Sequence, residues 1–160
     1  LYIIGSGNKF EFIKNFIKKN NLKSRIILKK YVPPKKLHNY LKQSDSFIVT
    51  LKNGKSLNKT IPGKFQTYVA YGKPILVSSN GSLCRFVEQN NIGFSNKPRE
   101  VNKIVKNMNY ISKLGMKQKI KIYFSLKKVY QDYFDLNKVV NDLSGYIKLV
   151  ESKYVKKNIL

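Results

Sequence analysis

Apolar residues along this chain come first in short runs and later in helical stripes, and the rhythm changes near Pro98. Tyr2-Ile3-Ile4 is a short run closed by Gly5-Ser6-Gly7, the pattern of a buried strand entering a glycine turn. Asn8 is placed to cap a helix, and Phe10, Ile13 and Ile17 recur at helical spacing with Lys14, Lys18 and Lys19 on other faces. This predicts an amphipathic helix over 9–20, ended by Asn20-Asn21. Arg25-Ile26-Ile27-Leu28 predicts a second strand, after which Tyr31-Val32-Pro33-Pro34 breaks regular structure and starts a helix carrying Leu37, Tyr40 and Leu41. Ser46-Phe47-Ile48-Val49-Thr50-Leu51 predicts a third strand, and the polar segment 52–59 has no apolar period and is expected to be a loop.

Phe65, Tyr68, Val69 and Tyr71 place an apolar face on a short helix that Gly72 stops, and Pro74-Ile75-Leu76-Val77 enters a fourth strand. Asn80-Gly81 turns the chain, Leu83, Phe86 and Val87 suit another short helix, and Ile92-Gly93-Phe94 predicts a brief edge strand. From Pro98 onward three helical stripes follow: Val101, Ile104, Val105, Met108 and Ile111; then Ile122, Leu126, Val129, Tyr130 and Tyr133; then Val139 or Val140, Leu143, Ile147 and Val150. Such stripes are expected to face a core. Short strands alternating with short helices argue for an α/β, Rossmann-like parallel sheet with helices on both faces, followed by a helical carboxyl-terminal segment.

The length, 160 residues, fits one domain over 1–150 with a frayed tail over 151–160. No run approaches the ~20 apolar residues that span a bilayer, and Leu1-Tyr2-Ile3-Ile4 stops at Gly5, so the chain is expected to be soluble and cytoplasmic. Cys84 is the only cysteine and His38 the only histidine, so a disulfide within the chain, a Cys-cluster metal site and a paired-histidine zinc motif are not expected. Cys84 is read as a small packing residue and His38 as a surface histidine. The formal charge of +24 calls for an anionic partner, and apart from Asp45 no acidic residue lies between Phe12 and Val87. The inner face of a membrane rich in anionic lipid is one such partner.

The segment from Thr60 to Gly81 changes the picture most, because it reads as loop, short helix, tight turn and buried strand. Open α/β sheets build ligand crevices from that order of elements. Pro62-Gly63 begins a helix with free backbone N–H groups, and Lys64 adds a positive charge at the same end, which suits a phosphate or diphosphate.

Pro62, Gly63, Lys64, Phe65, Thr67, Tyr68, Ala70, Gly72, Lys73, Pro74 and Ile75 match a run typical of the nucleotide-sugar-binding segment of retaining GT-B glycosyltransferases, the group 1 family, which this chain resembles. Further landmarks fall in the family's order: Leu1 to Gly7, Tyr31-Val32-Pro33 before a helix, Ser44-Asp45 before Phe47-Ile48-Val49, and Asn91-Ile92-Gly93-Phe94. The resemblance covers roughly residues 1–135 and implies the carboxyl-terminal, donor-binding domain of such an enzyme, truncated at its amino end. It implies a nucleoside-diphosphate sugar as donor substrate, no cofactor or metal, and a polysaccharide or lipid-linked acceptor. The acceptor would be held by a separate domain or subunit, at the inner face of the cell membrane.

Carried over residue by residue, the resemblance implies that Gly63 and Lys64 bind the donor phosphate, that Thr67 meets the ribose, and that Tyr31, Val32 and Pro33 border the base. Tyr31 packed beside two prolines is the alternative. Gly5, Ser6 and Gly7 line the cleft or form a plain strand-to-helix turn. One departure matters: many relatives carry two glutamates with seven residues between them, and here those positions are Lys59 and Thr67, so no catalytic residue is assigned. An inactive subunit that supports a partner glycosyltransferase is therefore one alternative. A nucleic-acid-binding protein is another, since Tyr and Phe among lysines suit stacking platforms. The sequence carries no RNP motif, GXXG loop or zinc framework, and nucleic acid is not the expected partner.

Overall fold

The structure, a computed structural model, describes the backbone of residues 1–158 and the side chains through Tyr154. The chain forms two compact units, Leu1–Gln43 and a second that begins at Ser44.

In the first unit, β1 (Tyr2–Ile4) and β2 (Ile27–Lys29) pair in parallel, Tyr2 opposite Ile27 and Ile4 opposite Lys29, with α1 (Phe10–Lys19) between them and α2 (Pro34–Gln43) after them. Helix α1 starts later than Asn8 would allow. The Phe10 amide donates to the Gly7 carbonyl at 2.9 Å, so a turn precedes the helix and Lys9 takes the cap position, with no side-chain bond. Strand β2 also starts later than expected, because the amides of Arg25 and Ile26 both donate to the Leu22 carbonyl and hold those residues in a turn. Tyr40 packs on Tyr2, ring centroids 5.6 Å apart, and its hydroxyl bonds the Lys29 ammonium, which raises that pKa.

The second unit contains β3 (Phe47–Thr50), α3 (Gly63–Ala70), β4 (Ile75–Ser78), α4 (Ser82–Gln89), β5 (Gly93–Asn96), α5 (Val101–Ser112), α6 (Met116–Val129) and α7 (Leu136–Asn158). Its three strands are parallel in the order β3-β4-β5, with Phe47 opposite Ile75 and Ile75 opposite Gly93. All four residues of the central strand β4 are buried. The two-residue period of a strand sends alternate side chains to opposite faces. Val49, Ile75 and Val77 pack with Phe65 and Val69 of α3, Leu83 and Val87 of α4, and Leu126 and Val129 of α6. Leu76 faces the other way, onto Ile111 and Leu114, with Ile48, Phe94 and Ile104 at the edge. Helices thus cover both faces, and each fully buried Leu, Ile, Val or Phe contributes roughly 1.5–3 kcal/mol.

The carboxyl-terminal helices depart from expectation. Of the first stripe, Ile111 is buried while Val101, Val105 and Met108 are exposed, and the whole third stripe is exposed: Val139, Val140, Leu143, Ile147 and Val150. Periodicity reports that a helix has an apolar side, not that a neighbour covers it. Helix α7 continues through residues 151–158 of the segment expected to fray, and the remaining two residues of that segment lie outside the described ones. Among the described residues no helix is long and apolar enough to cross a membrane.

Candidate functional site

Helix α3 is anchored by Phe65 and Val69, both buried, which leaves its opposite side and its first turn open. Pro62 holds the cap position with extended backbone, φ −72° and ψ 146°, and proline brings no side-chain acceptor there. The Phe65 amide donates to the Pro62 carbonyl at 2.9 Å, but the amides of Gly63 and Lys64 find no acceptor among the described residues. Gly63, Lys64 and Thr67 are all exposed. A Cβ added at Gly63 would meet nothing within 4 Å among the described residues, so this position is open. The Thr67 hydroxyl donates back to the Gly63 carbonyl at 3.4 Å, which keeps its oxygen lone pairs available to accept from a ligand hydroxyl. Two unpaired amides, the positive end of a helix dipole and a lysine together favour an anion.

The amino end of α3 emerges at the carboxyl end of the sheet. Its other end runs through Gly72-Lys73-Pro74 directly into the start of β4, and the helix returns from the end of β3 through residues 51–62. At the same end of the sheet lies a hollow of about 880 Å³ lined by Thr50, Lys52, Asn53, Ser78, Asn80 and Arg99 among others. Its two cations, Lys52 and Arg99, face no lining carboxylate. Gly63 and Lys64 are not among its lining residues. Beneath it, Asn96, 1% exposed, donates to the Ser78 hydroxyl at 3.1 Å and to the Lys97 carbonyl at 2.9 Å, while its side-chain carbonyl has no partner. The preceding loop is pinned here: the Ser82 hydroxyl donates to the Asn58 carbonyl at 3.0 Å. Gly81, at φ +111°, is where a side chain would strike that same carbonyl.

The other end of the motif is sealed. Gly72 adopts φ +65°, and a side chain there would lie 2.6 Å from the ring of Tyr123 on α6. The Pro74 carbonyl accepts from the Phe47 amide at 3.0 Å, which starts the pairing of β3 with β4. Lys73 and Pro74 line a smaller hollow of about 330 Å³ together with Asp45, Lys119, Ile120 and Tyr123.

In the first unit the remaining candidates also stand at the carboxyl ends of strands. Gly5 directly follows β1, its amide donating to the Lys29 carbonyl at 3.0 Å, and the Gly7 carbonyl holds the first turn of α1. Both Gly5 and Gly7 have open space where a side chain would stand. Tyr31 and Pro33 are exposed after β2, Tyr31 by 70%, so its ring is not packed away beside the prolines, and Val32 is half-buried. The Pro33 carbonyl accepts from the amides of Lys36 and Leu37 and opens α2.

Lys59 lies exposed in a 3-10 turn over Leu57–Lys59. Cys84 is half-buried, donates to the Ser79 carbonyl at 3.0 Å, and burial pushes its thiol pKa up, so it packs rather than reacts. His38 is exposed on α2. Among the described residues there is no cluster of three or more His, Cys, Asp or Glu side chains that could hold a metal ion. Sequence reasoning missed Asn80, Asn96 and Arg99. Two of them stand just beyond strand ends, Asn80 after β4 and Arg99 after β5, and Asn96 ends β5, so applying the strand-end rule to every strand would have found them.

The fold is shared with known structures. The structure is similar to the crystal structure of the HepE protein of Anabaena in complex with UDP-glucose, with a TM-score of 0.72 at 14% identity over 92% of this chain and 40% of that one. It is similar to the same protein in complex with UDP, with a TM-score of 0.62 at 13% identity over the same shares. The chain thus spans about two fifths of the length of the solved structures it matches. No curated protein sequence matches it. The sequence model of the family described as Glycosyl transferases group 1 matches residues 1–124, most of the chain. With this match over an α/β, Rossmann-like fold that places its candidate residues at strand ends, the chain belongs to the group 1 glycosyltransferase family.

Proposed function

We propose that this chain is the donor-binding part of a retaining glycosyltransferase, equivalent to the carboxyl-terminal domain of a two-domain enzyme. It transfers a sugar from a nucleoside diphosphate to a polysaccharide or lipid-linked acceptor. The observation that carries this reading is the uncapped start of α3, where two free amides and Lys64 converge at the carboxyl end of a parallel sheet. As the bond from the sugar to the diphosphate lengthens, negative charge gathers on the leaving phosphate. Donors already fixed around that oxygen stabilise it without reorganising. Gly63 and Lys64 supply them, and Thr67, one turn along the same exposed face, accepts from a ribose hydroxyl. Tyr31, Val32 and Pro33 are proposed for the base and Gly5, Ser6 and Gly7 for the cleft lining; their positions after β2 and β1, and the exposure of Tyr31, Pro33, Ser6 and Gly7, support the assignment. The acceptor is assigned to a separate domain or subunit, and the charge of +24 supports work at the anionic inner face of a membrane.

Calorimetry with a panel of nucleoside diphosphates and their sugars tests the proposal. We expect one base to bind at millimolar affinity or better, and Lys64→Ala to weaken that binding roughly ten- to a hundredfold, the range for a charge-assisted hydrogen bond. No binding across the panel would contradict it. Lys59 and Thr67, standing where carboxylates are common in the resembled family, favour a second reading: a subunit that holds the donor without turning it over. Donor binding with no transfer after an acceptor-binding partner is supplied would favour that reading.

A further inference from the structure

Helix α6 carries two apolar faces, and the fold buries only one. Leu126 and Val129, with Ile122 beside them, turn inward to the core. Centred more than a third of a turn from that face, Met116, Ile120 and Phe124 form a second stripe, exposed by 72%, 46% and 60%, with Tyr123 at its edge, half-exposed and packed against Gly72. Lys117, Lys119, Lys121, Lys127 and Lys128 flank or interrupt it, all exposed, and none forms an ion pair among the described residues. No Asp or Glu occurs from Val101 through Gln131. The small hollow beside this stripe adds Lys73, and its single carboxylate, Asp45, stands against the two lysines Lys73 and Lys119.

We propose that the outer face of α6 is the surface by which the protein docks on an anionic lipid bilayer, with Ile120 and Phe124 entering the headgroup boundary and the lysines meeting lipid phosphates. An exposed apolar stripe edged by lysines and free of acids offers the two attractions that hold a helix at an anionic lipid surface, buried apolar area and positive charge. Each lysine brought near such a surface is worth roughly fivefold in partitioning. Helix α7 also exposes apolar side chains, but Asp142 and Glu151 lie among its lysines and Lys138 is paired with Asp142 at 2.7 Å, so its positive charge is partly neutralised where that of α6 is not. The inference rests on the membrane-surface part of the function proposed above and names the element responsible.

Vesicle flotation of the full chain tests it, with phosphatidylglycerol-rich vesicles compared with phosphatidylcholine alone. Wild type should bind the anionic vesicles and be released by high salt. Ile120→Ser with Phe124→Ser, and separately Lys117→Gln with Lys121→Gln, should each lower partitioning by about tenfold or more, while Leu143→Ser with Ile147→Ser on α7 leaves it within about twofold. All these positions are exposed, and circular dichroism verifies that each variant is folded. If the α6 variants bind like wild type, the assignment to α6 falls and the broader membrane reading stands. If wild type does not float, both fall. If instead the chain binds a generic RNA and ignores vesicles, and Lys117→Gln with Lys121→Gln weakens that binding, the face serves nucleic acid and the proposal is overturned. Nucleotide binding measured by calorimetry on the same variants should be unchanged, which separates this surface from the donor site.

Discussion

The two ends of helix α3 are made from one stretch of sequence and do opposite things. At its start, Gly63 faces open space and two amides lack acceptors; at its stop, Gly72 sits in left-handed backbone with Tyr123 pressed against it. The first arrangement leaves hydrogen-bonding capacity unused, which a fold tolerates where solvent or a ligand can take it up. The second is filled, and it fixes where β4 begins. A motif that reads as one unit in sequence is therefore half binding surface and half joinery, and its two glycines are present for different physical reasons.

Substitution at the sealed end should have the largest effect. Gly72→Val adds a β-branched residue at φ +65° and a clash with Tyr123, and is expected to cost about 2–4 kcal/mol, lowering the thermal midpoint by roughly 5–15 °C. A melt within a degree or two of wild type would show that the end is not sealed. At the open end, Lys64→Ala should leave the melting curve in place while weakening nucleotide binding, so that stability and affinity separate between the two ends. Arg99→Ala tests whether the strand-end hollow shares the anion; removing one of its two cations should weaken nucleotide binding about three- to tenfold, read by calorimetry at low salt. The smallest effect is also the sharpest contrast: Gly63→Ala in open helix should raise stability by about 0.4–1 kcal/mol, opposite in sign to any side chain placed at Gly72. Denaturant titration of Gly63→Ala and Gly72→Ala compares the two positions directly.

Much of this contrast was legible in sequence because its signals are local. The alternation of short apolar runs with helical spacing placed all five strands near their observed positions, and Pro62 and Gly72 marked the ends of α3. What was not legible depends on which partner each backbone and side-chain group meets, near or far along the chain. Asn8 could not be ruled out as a cap without the Gly7 to Phe10 hydrogen bond, and Arg25-Ile26 looked like strand until Leu22 claimed both amides. The hollow draws on Thr50, Ser78, Asn80 and Arg99, which are brought together only by strand register, and Asn96 is buried beneath it by the same register. Apolar stripes on α5, α6 and α7 were visible, but burial depends on which face meets a neighbour, and most of the apolar stripe of α7 and much of the outer face of α6 stay exposed.

The central claim is that an anion binds at the start of α3 and not at its stop. The most direct measurement is a titration of the ¹⁵N-labelled chain with the nucleoside diphosphate that calorimetry selects, following the backbone amides of Gly63, Lys64, Gly72 and Lys73. The Gly63 and Lys64 amide protons should move downfield and saturate with the calorimetric affinity, while those of Gly72 and Lys73 stay in place. Saturable shifts at Gly72 and Lys73 with none at Gly63 and Lys64 would contradict it.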